Sequence, residues 1–183
     1  MPPRFLSLAL LALPAITGCG PGSGGGTPLT LLDYQVLVPP TFVARPPTSS
    51  MRLAEFAVPR TDGTSAEVIV FYFGQGQGGT AQANVERWAT QFTSPEGGHV
   101  TPRVGTLDGT PFPTTVAEFE GNYARGVGAG PGTADAVPDQ GLIAAVVETP
   151  SGSLFFQLVG DRSAVAEARA DFFELVGSIS AGS

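Results

Sequence analysis

The chain has 183 residues and a formal net charge of −7, and all nine of its basic residues are arginine. That acidity excludes the clustered basic footprint that nucleic acid requires, and it argues against electrostatic docking on anionic lipid. With one cysteine and one histidine, the chain forms no internal disulfide, no redox pair and no multi-ligand zinc site.

Arg4 is the single charged side chain before Cys19, and Phe5 to Ile16 is almost wholly apolar. That stretch has the length of a signal-peptide apolar region and is too short to cross a bilayer as a helix of about 20 residues. The run Ile16-Thr17-Gly18-Cys19 that closes it resembles the lipobox of bacterial lipoproteins. The resemblance implies that residues 1–18 are a signal peptide and that Cys19 is lipidated as the first mature residue. Several acyl chains together give stable anchoring. Gly20, where a retention signal would carry Asp, points by the same resemblance to the outer membrane, facing the periplasm, if the source is Gram-negative. Residues 19–30 then read as the acylated cysteine and a flexible Gly/Pro/Ser tether, and residues 31–183 as one domain with enough length for a sizeable core.

Met51–Val58 is a half-apolar strand. Glu67–Phe73 is β-branched and aromatic on both faces, which predicts a central strand covered on both sides. A helix starts after Thr80 as N-cap, with Val85, Trp88, Ala89 and Phe92 as its apolar stripe and Pro95 with Gly97-Gly98 as its stop. Val100–Leu107 is a weaker strand. Val116–Tyr123 alternates apolar and polar, as a half-exposed strand does. Gly126–Pro138 reads as a long mobile loop. Leu142–Val147 and Leu154–Val159 flank the turn composition of Thr149–Ser153, which predicts a hairpin. A last helix over Ser163–Ile179, capped by Asp161 or Ser163, carries Val165, Ala168, Phe172, Leu175, Val176 and Ile179 on one side.

Mostly strands, with one helix in the middle and one at the end, predict an α+β domain: an α/β/α sandwich on a largely antiparallel sheet. The segments MRLAEFAVP, EVIVFYFGQGQGG, ANVERWATQF and GLIAAVVETPSGSLFFQLVGD, with the final helix, resemble an uncharacterised family of exported bacterial proteins over about Val38 to Ser180. The element order is also similar to that of PsbP-type extrinsic photosystem proteins. That likeness implies a fold and transfers no activity.

Gly74-Gln75-Gly76-Gln77-Gly78-Gly79 satisfies G-x-G-x-x-G after a strand and before a helix. The repeated strand–helix units and the acidic residue of a dinucleotide site are missing, so the motif reads as a glycine turn and no cofactor is expected. The backbone N–H groups of Gly78, Gly79 and Thr80 are a weak candidate anion site. His99 sits beside Gly97-Gly98 and reads as an exposed loop histidine. Glu118 and Glu120 share a strand face and resemble a paired-carboxylate acid/base site, but their alternation with Ala117 and Phe119 reads as a solvated face. Asp135 and Asp139 lack the spacing of a calcium loop. Trp88 and Phe155-Phe156 fit core packing.

The expectation is a membrane-anchored exported lipoprotein acting as a non-catalytic binding or envelope-assembly module. Its partners would be the membrane, through the lipid anchor, and an envelope protein or small ligand. The alternative is an enzyme working through carboxylates or His99, which requires those groups to converge in one cleft.

Overall fold

The computed structural model describes residues 25–124 and 136–182. The leader, Cys19, Gly126 and Asp135 lie outside the described residues.

The described residues open with β1 (Thr27–Leu31) and β2 (Tyr34–Val38), an antiparallel hairpin. Thr27–Thr30, taken above as tether, is thus strand. Leu31, Tyr34, Val36 and Val38 are buried, so the hairpin has its own apolar side to hide. Then follow β3 (Val43–Arg45), β4 (Arg52–Pro59), β5 (Ser65–Tyr72) and α1 (Ala81–Ala89). Next come β6 (Phe92–Thr93), β7 (Arg103–Thr106), β8 (Thr114–Tyr123), β9 (Val137–Thr149) and β10 (Gly152–Asp161). The described chain closes with α2 (Arg162–Gly177) and β11 (Ser180–Ala181).

The main sheet has the order β3-β4-β5-β10-β9-β8-β6, with β7 also pairing β8, and its pairings are antiparallel. A small sheet, β1-β2-β11, joins the hairpin to the end of the chain. The fold is α+β and mostly antiparallel, with two helices.

Strand alternation divides the core between the two faces of the main sheet. On β9, Ile143, Ala145 and Val147 cluster with Phe156 and Leu158 of β10, with Ala168, Phe172, Leu175 and Val176 of α2, and with the β1–β2 hairpin. Leu142, Ala144 and Val146 cluster instead with Phe119, Phe155 and the α1 residues Val85 and Trp88. The wholly apolar run of β9 is therefore needed: both of its faces are covered. Each large side chain hidden this way contributes roughly 1.5–3 kcal/mol of transfer free energy.

Three local expectations are corrected. α1 ends at Ala89 with Thr90 as C-cap, so Phe92 belongs to β6 and not to the helix, although it is fully buried on the same side. Ser94, Pro95 and Gly97-Gly98 form a separate turn, closed by Ser94 N–H donating to the Gly98 carbonyl at 2.8 Å. Asp161 holds the N-cap position of α2 without bonding the helix. Its carboxylate instead accepts from the Ser65 N–H at 2.7 Å and from Gln140 at 3.1 Å, which pins β10 to β5 and β9.

Candidate functional site

α2 packs over β9, β10 and β5 on its face of the sheet. β7 and the adjoining part of β8 extend past its flank. Between that flank and β7 lies an open groove of about 510 Å³. Its floor is Val116, Leu107 and Phe173, and its mouth is Arg103, Glu118 and Arg169. On α2 the residues that face this side recur at i, i+4, i+7 and i+11, namely Arg162, Ala166, Arg169 and Phe173. This is a second helix face, offset from the buried apolar one.

Glu118 is the hub. Its side chain is 14% exposed and accepts from Arg169 Nη2 at 2.8 Å and from Arg103 Nη2 at 3.1 Å. Arg103 Nη2 also reaches Glu120 at 3.1 Å, and Arg162 joins Glu120 to Asp139, the latter at 2.7 Å. The Arg169 guanidinium lies 4.6 Å above the Phe173 ring, a cation–π contact that fixes its plane. Burial works against the ionised form of Glu118, but the hydrogen bonds and charges of Arg169 and Arg103 outweigh it and hold its carboxyl below the usual range.

Glu118 and Glu120 do share a face, but it is not simply solvated: both carboxylates are held by arginines from β7 and α2. A carboxylate stabilised in its charged form is a poor proton donor near neutral pH. Glu118 therefore acts as a fixed anionic anchor for two guanidinium groups, and Glu120 shares one of them. No sequence signal pointed to Arg103 or Arg169, because their meeting depends on how α2 lies beside the sheet edge. Asp139, a non-glycine residue with φ of 53°, sits within β9 and pairs with Arg162.

His99 is exposed and forms an isolated bridge with Thr93. Among the described residues no three His, Cys, Asp or Glu side chains come together as a metal site. The glycine loop lies on the other face of the sheet, where a Cβ on Gly78 would come within 2.8 Å of the Phe155 ring. Thr80 caps α1 by accepting from Ala83 N–H at 3.1 Å. Asn84 donates to the carbonyls of Gly78 and Thr80 at 2.8 and 2.9 Å. The glycines here serve a tight strand-to-helix turn, and the side chains of Thr80 and Asn84 are spent closing it. Trp88 and Phe155-Phe156 are core residues.

A second hollow, of about 440 Å³, opens on the α1 face of the sheet between Ala57, Glu67, Val159, Gln140 and Tyr123. Glu67 and Tyr123 there have further partners. No described helix is long and apolar enough to cross a membrane.

No known protein family matches the chain, and no curated protein does. Among solved structures, the chain is similar to the cyanobacterial PsbP protein (CyanoP) of Synechocystis sp. PCC 6803. The TM-score is 0.50 at 13% identity, covering 91% of this chain and 98% of that one. It is also similar to a protein of unknown function from Pseudomonas aeruginosa, with a TM-score of 0.49 at 10% identity, covering 85% of this chain and 96% of that one. At these identities the first likeness is one of fold alone.

Proposed function

We propose that the chain is an exported, lipid-anchored, non-catalytic binding module of the bacterial cell envelope, built as a layered α/β/α domain on a short tether. The observation that carries the proposal is the Phe5–Ile16 apolar stretch ending in Ile16-Thr17-Gly18-Cys19. A thiol at that one position, in a chain with no other cysteine, is what acylation requires. By the same resemblance the address is the outer membrane, facing the periplasm, if the source is Gram-negative. The groove beside α2 supports a binding role, since its charged groups are paired and fixed instead of poised for proton transfer. The catalytic alternative calls for His99 with acidic groups, or carboxylates alone, in one cleft; the binding reading is supported against it by the exposed position of His99 and by the arginines that hold Glu118 and Glu120.

The test is mild crosslinking of the native lipidated protein in cells, followed by identification of what copurifies. A reproducible envelope partner, absent when the protein is overexpressed without its leader, supports the module. Recovery of the protein alone under all crosslinker lengths contradicts it.

A further inference from the structure

We propose that the free edge of β7 captures an acidic, extended peptide segment of a partner protein as an added β-strand, with alternate side chains of that segment entering the groove beside α2. This rests on the binding-module reading above and names its site and the chemistry of its ligand.

The first observation is the unpaired edge. Among the described residues β7 pairs with β8 alone. Leu107 N–H donates to the Thr114 carbonyl at 3.0 Å, which fixes which residues of β7 bond inward. Counting back along the register Thr106↔Thr115 and Gly105↔Val116, Gly105 and Arg103 bond to β8. Val104 and Thr106 then turn their N–H and C=O groups outward, the template that strand addition uses. All four residues of β7 are exposed. The other edge strands of the main sheet are shorter: β3 has 3 residues and β6 has 2.

The second observation is what lies over that edge. A Cβ built on Gly105 meets nothing within 4 Å, so the groove has open space above the strand. A side chain of an added strand would stand beside that space, over Leu107 and Phe173. Val104, 53% exposed on the opposite face, offers apolar contact to the alternate set.

The third observation is charge. The chain as a whole is acidic, yet the mouth of this groove carries Arg103 and Arg169 against Glu118, with Glu120 beside Arg103. Arg103 spends only Nη2 on its two carboxylates, leaving Nε and Nη1 without a partner among the described residues. Its side chain is 70% exposed. Each of those donors suits a single charge-assisted hydrogen bond to a carboxylate arriving along β7, beside the bonds that Nη2 already gives to Glu118 and Glu120.

The experiment measures fluorescence anisotropy of a dye-labelled octapeptide alternating Glu with Val and Thr, titrated with the full chain in low salt. Saturable binding is expected, weakened about tenfold or more by replacing each Glu of the peptide with Lys, since reversed charge meets the arginines. Val104→Pro removes one outward N–H where proline is tolerated on an edge, and should weaken binding about tenfold or more. Gly105→Leu fills the open slot and should do the same; both variants should melt as the wild type does. Equal binding of the Glu and Lys peptides, or wild-type affinity in Val104→Pro, overturns the proposal. So does a concentration-dependent dimer that Val104→Pro dissolves, which would make a second copy the occupant. If the crosslinked partner of the native protein is retained by Val104→Pro, strand capture fails while the binding module stands. If nothing crosslinks, the module itself fails.

Discussion

Arg169 Nη2 donates to Glu118 Oε1 at 2.8 Å, tying the last helix to β8 across 51 positions of the chain. This bond, with the Arg103 bond from the other side, spans the mouth of the groove and gives it a measurable pH signature. Burial alone would raise the Glu118 pKa; the two arginines lower it overall. In the unfolded chain the carboxyl holds its proton up to about 4.5. The stabilisation is therefore complete above that value and is lost as pH falls through the lower folded-state pKa. Glu118→Gln should destabilise the protein by about 1 kcal/mol at neutral pH, because both arginines are largely exposed. It should also flatten the loss of stability on acidification. Thermal melts between neutral pH and pH 3 check this; an acid limb as steep as that of the wild type would contradict the assignment.

Gly78 and Gly97 separate backbone strain from packing. Their φ angles are nearly equal, 88° and 90°. A Cβ at Gly97 meets nothing within 4 Å, whereas at Gly78 it meets Phe155 and Phe73 at 2.8 and 2.9 Å. Gly97→Ala should cost about 1 kcal/mol, the left-handed penalty alone. Gly78→Ala should cost about 1–3 kcal/mol more, since rings inside a packed core have little room to move. Urea titration of both variants decides it, and equal midpoints would show that the Phe155 ring gives way freely.

Asn84 and Thr80 close one turn from two directions. Asn84→Ala removes the bond to the half-buried Gly78 carbonyl, while the Thr80 carbonyl keeps the backbone N–H of residue 84, and should cost about 1 kcal/mol. Thr80→Ala removes the cap on Ala83 N–H and should cost about 1 kcal/mol. Because both act on the same few backbone groups, the double variant should lose less than the sum. Strict additivity in a double-mutant cycle would mean that the loop does not close as one unit.

Much of this architecture is legible in the sequence, and what escapes has a physical pattern. The β5, β8, β9 and β10 segments and both helices announce themselves because their periodicity reports burial along one element: Val68 and Val70 against one face, the Val165–Phe172–Leu175 stripe against the same sheet. Thr27–Leu31 was hidden because its polar and proline-bearing sequence reads as a continuation of the glycine tether, and its strand exists only through pairing with Tyr34–Val38. β3, β6 and β11, of two or three residues each, are too short to show a period. Phe92 fits the helix stripe by its i+7 spacing from Val85; the capping of the helix at Thr90 turns the chain first, while leaving the ring in the same cluster. The groove was not legible at all. Alternation placed Glu118 and Glu120 on one face correctly, but nothing local to β8 says that Arg103 and Arg169 arrive from β7 and α2 to hold them.

The proposed role depends on the lipid anchor, and labelled fatty acid tests that anchor most directly. Cells expressing the full chain with either Cys19 or Cys19→Ser are grown with radiolabelled palmitate, and the protein is recovered by immunoprecipitation. Label is expected on the wild-type protein, recovered with membranes after a high-salt wash, with neither label nor retention in Cys19→Ser. Equal labelling of the two, or an unlabelled wild-type protein released by the wash, would contradict it.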